Sequence, residues 1–153
     1  MSSLPTHFND TVQVSGGQGW RAVAAGTGDN TEVVGAGINR MADGEQGFDS
    51  MVIAHAGSAT LAEDKTLKIR TRIQESLDGS SWDAAEEIEA LTLVATGGSG
   101  GTTEKYERKV KIDLIGRKQH IRILTTPDLD AANTDVGQGG SCGVLGGATV
   151  EPV

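Results

Sequence analysis

Cysteine is almost missing from this 153-residue chain: Cys142 is the only one. A single thiol excludes an intrachain disulfide and cannot by itself build a structural zinc site, so stability has to come from packing or from neighbouring subunits. Aromatics are also scarce, at 3% of residues, so any core must be made chiefly of Val, Ile, Leu and Ala. Apolar runs are short, reaching four residues at Met51–Ala54. A membrane helix needs roughly 20, so no membrane-spanning helix is expected. The first residues, Met1-Ser2-Ser3-Leu4-Pro5-Thr6-His7, show neither the basic n-region nor the apolar h-region of a secretory signal, and synthesis in the cytoplasm is the expectation. Excess positive charge is absent too: the net charge is −8, which argues against a general nucleic-acid binder, whose footprint is a basic surface.

Glycine is what the chain has in excess, 22 residues where average usage of about 7% would give about 11. Turns and loops must therefore be abundant. The length fits one domain with one core, spanning 1–153.

Period-two alternation is the dominant pattern. Over Thr66–Ser76, Leu67, Ile69, Thr71 and Ile73 alternate with Lys68, Arg70, Arg72 and Gln74, which predicts a half-buried strand. The pattern returns at Tyr106, Val110, Ile112 and Leu114, with Arg108 interrupting the apolar face, and again at Ile121 and Ile123 around Arg122. The eight aliphatic residues among these are expected to share one core. Gly116-Arg117-Lys118-Gln119 reads as a short hairpin connection between the last two strands. Further strands are expected at Thr11–Val14, Trp20–Ala25, Thr31–Val34, Phe48–Ala56, Leu91–Thr96 and Ser141–Val150, each bounded by glycine-rich or Asx-rich turns. Ser81–Ala90 is the one helix candidate. Eight or nine short strands without a long helix predict an all-β fold, a single antiparallel β-sandwich or jelly roll. A flexible arm over 1–10 and a glycine-rich tail over 137–153 complete the expected outline, with Gly97-Gly98-Ser99-Gly100-Gly101 as a loop joining strands. Six glycines between Gly137 and Gly147 leave little to fold alone, so that tail is expected to order only on another surface.

Catalytic and cofactor constellations do not emerge. His7, His55 and His120 share no metal-ligand spacing with each other or with Cys142, and Cys142 lacks a charged sequence neighbour to lower its pKa. Neither Gly26-Thr27-Gly28 nor Gly35-Ala36-Gly37 continues into a dinucleotide fingerprint, and Asp128, Asp130 and Asp135 match no calcium loop. No catalytic, cofactor or metal residue is assigned and no enzyme is expected. Positive charge, by contrast, is concentrated: eleven of the thirteen Lys and Arg residues lie between Lys65 and Arg122. Lys68, Arg70, Arg72, Lys109 and Lys111 form the candidate interface, a basic strand face with the acidic stretch Asp83–Glu89 as a complement within or between chains. The bland alternative is a solvated face whose charges deter edge-to-edge aggregation.

The segment Leu67–Trp82 resembles a strand and turn of small β-sandwich decoration or cement proteins on tailed-bacteriophage heads, where an alternating strand ends in Gln-Glu-Ser and enters Asp-Gly-Ser-Ser-Trp, here Gln74-Glu75-Ser76 and Asp78-Gly79-Ser80-Ser81-Trp82. Asp78-Gly79 would supply positive-φ turn chemistry and Trp82 would fold back to cap the core. The resemblance covers about a tenth of the chain. It implies a virion structural subunit, often trimeric, on the outer capsid surface, made in the host cytoplasm. Its partners would be the major capsid protein and copies of itself, with no cofactor, nucleic acid or membrane. The alternative reading is a carbohydrate- or receptor-binding sandwich of a tail fibre or adhesin. Sugar platforms display several aromatic rings, and Phe8, Trp20, Phe48, Trp82 and Tyr106 are all this chain has.

Overall fold

A computed structural model describes residues 12–41, 47–130 and 134–148. The expected arm at 1–10 and residues 149–153 lie outside these. Nine strands are described: β1 Val12–Val23, β2 Val33–Val34, β3 Ile38–Asn39, β4 Phe48–Leu61, β5 Thr66–Ser76, β6 Glu86–Thr96, β7 Thr102–Asp113, β8 His120–Leu129 and β9 Val136–Ala148. They form two antiparallel sheets. Sheet A runs β1-β9-β4-β7; sheet B runs β2-β8-β5-β6, with β3 also on β8. No helix occurs among the described residues.

This order is a jelly roll, two packed sheets wound from Greek keys, and it follows from one nested pairing. Strand β5 pairs with β6, β4 with β7, β2 and β3 with β8, and β1 with β9. The chain is thus a long antiparallel hairpin whose tip is the turn after Ser76, rolled so that β9 meets β4 and β8 meets β5. The tip is held by its own side chains. Ser76 Oγ accepts from Gly79 N at 2.9 Å, and Asp78 Oδ1 accepts from the backbone N–H groups of Ser80 and Ser81, each at 2.8 Å. Those donors hold the Asp78 carboxyl well below the usual carboxylate range. Gly79 has φ +73°, a conformation that favours glycine.

Nested pairing explains the main departures from expectation. The stretch from Gly137 was expected to need another surface; that surface is the chain's own β1 and β4, between which β9 lies as an inner strand. Its glycines are what the packing demands: a Cβ on Gly139 would stand 2.1 Å from Tyr106 Oη and 2.8 Å from the Ala56 carbonyl. The two strands expected at Thr11–Val14 and Trp20–Ala25 are one, because the glycines between them form a bulge against a continuous β9. The helix candidate Ser81–Ala90 instead leads into edge strand β6, whose residues pair with β5. Gly116–Gln119 is no hairpin within a sheet, since β7 belongs to sheet A and β8 to sheet B. Turn-forming residues look alike in both kinds of connection.

All eight aliphatic residues expected in the core are buried, but they divide between two clusters. Ile73, Val110, Ile112, Leu114, Ile121 and Ile123 pack with Ile38, Met51, Ile53 and Leu145. Leu67 and Ile69 pack with Trp20, Leu61, Tyr106 and Leu129. A polar belt separates the two. Gln18 Nε2 donates to Thr125 Oγ1 at 2.7 Å and to Ser141 Oγ at 2.9 Å, and His55 Nε2 lies 3.0 Å from Thr71 Oγ1. The register runs Gln18–Ser141–His55–Arg108 across sheet A and Thr125–Thr71–Glu89 across sheet B. Arg108 and Glu89 join the sheets at one edge by an ion pair. The charge that interrupts the apolar face of β7 therefore sits at the belt's own level.

Candidate functional site

The five candidate interface residues do not share a face. Lys68, Arg70 and Arg72 alternate with buried Leu67, Ile69, Thr71 and Ile73, so they stand on the outer face of sheet B. Lys109 and Lys111 alternate with buried Val110 and Ile112, so they stand on the outer face of sheet A, across the sandwich. Period two shows that each side chain points outward; it does not show which sheet its strand will join.

Sheet B's basic residues are largely committed within the chain. Arg72 Nε and Nη2 donate to the two carboxylate oxygens of Glu32 at 2.7 and 2.8 Å, a bidentate pair that raises the guanidinium pKa. Arg70 Nη2 reaches Thr126 Oγ1 at 3.4 Å, and Lys68 lies beside Asp128 of β8 in the strand register. Arg122 donates to Gln74 Oε1 at 2.8 Å and its Cζ sits 4.3 Å from the Trp82 ring centroid. Trp82 therefore packs on the outside of sheet B, against Arg122 and close to Gly37, and does not cap the core as expected.

The acidic stretch Asp83–Glu89 finds intrachain partners, and they are other residues than the five. Lys118 Nζ approaches Asp83 at 2.6 Å, Arg117 bridges Glu86 at 2.7 Å and Glu75 at 2.5 Å, and Glu89 meets Arg108. The bonds to Arg117 hold the Glu86 carboxyl below its ordinary range and push the guanidinium up. Arg40 also donates to the Lys118 and Arg117 carbonyls, at 3.0 and 2.6 Å, which ties the β3 end to the β7–β8 crossing.

Sheet A's outer face is different in kind. Its two inner strands present Val52, Ala54, Ala56, Ser58 and Thr60 on β4, and Gln138, Gly140, Cys142, Val144 and Gly146 on β9. No Asp, Glu, Lys or Arg occurs from Ser50 to Ala62 or from Val136 to Val150. Val14, on β1, is 65% exposed. Along β7 the same face ends in a charged row, Lys105, Glu107, Lys109, Lys111 and Asp113, all exposed. A small-residue, charge-free surface is thus set across the two inner strands, bordered by the charged row of β7 and, on β1, by exposed Arg21 opposite Gln138. Composition alone missed it. The charge-free runs were visible, but only the β9–β4 pairing makes them one surface.

No group of three or more His, Cys, Asp and Glu that would hold a metal occurs among the described residues. His55 is buried beside Thr71, and burial lowers its pKa to about 4. Cys142 is a free, half-buried thiol. Asp130 and Asp135 accept from the backbone N–H groups of Thr66 and Ala62, both at 2.8 Å, and so anchor strand ends.

No protein-family model matches the chain, and neither does any curated protein. Among solved structures it is similar to the VP2 subviral particle of infectious bursal disease virus, at 10% identity and a TM-score of 0.47 over 95% of this chain and 37% of that one. It is also similar to the structure of the Gx strain of that virus, at 11% identity and a TM-score of 0.46 over 88% of this chain and 32% of that one. The chain spans about a third of the length of these proteins. At this identity and overlap the likeness carries no functional argument.

Proposed function

We propose that the chain is a virion structural subunit, a decoration or cement protein on the outer capsid surface of a tailed bacteriophage. Its partners in that role are the major capsid protein and further copies of itself, and it performs no catalysis. The observation that carries the reading is the outer face of sheet A. A sheet face turned to water normally alternates polar residues outward, whereas β4 and β9 present small, uncharged ones across the middle of the sheet. Such a surface is suited to being covered. The jelly roll is an architecture that viral capsid domains use, as do lectins and cupins, so fold supports the class by analogy only. Resemblance of the Leu67–Trp82 strand and turn to phage-head proteins supplies the narrower assignment.

The alternative, a sugar-binding module, needs free aromatic faces. Trp20 and Tyr106 are each 7% exposed and stack on one another at 6.4 Å inside the core, Phe48 is buried, and Arg122 covers one face of Trp82. Co-sedimentation of the purified chain with phage particles stripped of it tests the proposal. Saturable binding in fixed proportion to the major capsid protein is expected; failure to pellet with particles would refute it.

A further inference from the structure

We infer that the outer face of sheet A is the contact between two copies of this chain, stacked sheet on sheet about a twofold axis that lies across the strands. The inference deepens the reading above in taking this face as covered, but its test uses purified protein without particles, so either can fail alone.

Three observations commit the face to a second copy. Size is the first. Strands of 12, 13, 14 and 12 residues, at about 3.3 Å per residue and about 4.8 Å between strands, give a footprint of about 800 Å². Two such faces together bury about 1,600 Å², the size of a standard stable interface. Shape is the second: Ala54, Ala56 and Gly140 keep the middle of the two inner strands low, which suits close sheet-on-sheet approach. Charge is the third, and it selects the partner. The outward row of β7 reads Lys105, Glu107, Lys109, Lys111, Asp113. Laid antiparallel on itself, it sets Lys105 against Asp113 and Glu107 against Lys111, with Lys109 on the axis against its own copy, the one like-charge meeting in the row. Four of the five positions meet opposite charge. A twofold contact requires this self-complementarity, since residue i must suit residue j in both directions. No such match exists between the basic face of sheet B and the uncharged centre of sheet A. Cys142 lies within the stacked area on β9, and because the chain has one cysteine, any disulfide must join two copies.

Sedimentation velocity of the full chain, with thiol labelling of Cys142, tests the inference. The wild type is expected to sediment as a dimer at micromolar concentration, with Cys142 labelled slowly by a bulky maleimide. Ala56→Glu, an exposed position, should give a folded monomer labelled at least tenfold faster. Glu107→Lys and Lys111→Glu should each weaken the dimer, and the double swap should restore it, because the two residues face each other across the axis. A monomeric wild type, a dimer that persists in Ala56→Glu, a trimer, or failure of the double swap to restore association would each overturn the arrangement.

Discussion

His55 makes the polar belt testable by pH. The imidazole is 1% exposed, its Nε2 is bonded to Thr71, and burial lowers its pKa from 6.5 to about 4. Nearby Glu89 acts to raise that value and Arg108 to lower it, both more weakly than burial. The folded state therefore binds a proton less readily than the unfolded chain. Above the unfolded pKa both states are neutral at His55 and nothing is lost. As pH falls from 6.5 towards 4, protonation increasingly favours the unfolded chain. A depression of this size corresponds to about 3 kcal/mol in full, of which about 2 kcal/mol is expressed by about pH 5. Urea unfolding of the wild type and of His55→Leu, followed from about pH 8 to about pH 4, isolates the effect from the carboxylates common to both proteins. At high pH the variant should be less stable by about 1–3 kcal/mol, because Thr71 is left buried without its partner. That deficit should shrink or reverse on acidification, since only the wild type has His55 to titrate. Parallel stability curves for the two proteins would show that His55 is not held neutral by burial, and the belt as described would be wrong.

Other expectations follow from the core and the turn. Ile112→Ala and Leu67→Ala should each cost about 2–5 kcal/mol; because the residues lie in different clusters, the double variant should be additive within about 0.5 kcal/mol by chemical denaturation. Gly139→Val places a side chain against Tyr106 Oη and the Ala56 carbonyl, so it should lower the melting temperature by an amount matching about 1–3 kcal/mol or more of overpacking, whereas a glycine-rich tail lying outside the fold would tolerate it. Asp78→Ala removes the acceptor for two backbone donors at the hairpin tip and should lower the melting temperature in calorimetry, with Asp78→Asn keeping part of the loss at bay.

How much of this was legible beforehand differs strand by strand. Strands β5 and β7 are written in plain alternation, and their buried apolar residues are those the period selects, whereas β8 alternates only at its start and is buried continuously from Ile123 to Pro127. Strand β9 was not legible as an inner strand, because its glycines remove the alternation that marks one. Their role depends on Trp20 and Tyr106, far away in sequence, which need the room. Arg108 was visible as an interruption, yet its meaning required the register that sets it level with His55 and Ser141. For the same reason the basic residues could be assigned outward but not to a common face. Sheet membership is decided by nested pairing over the whole chain, and no local period encodes it. The charge-free face of sheet A was split in sequence between two segments about eighty residues apart, so only their pairing reveals it.

Quantitative mass spectrometry of purified phage particles tests the proposed capsid role. The chain is expected in intact particles at a fixed, high copy number relative to the major capsid protein, released when the capsid surface is stripped. Its absence from particles, or its presence only with tail fibres in a few copies, would rule that role out.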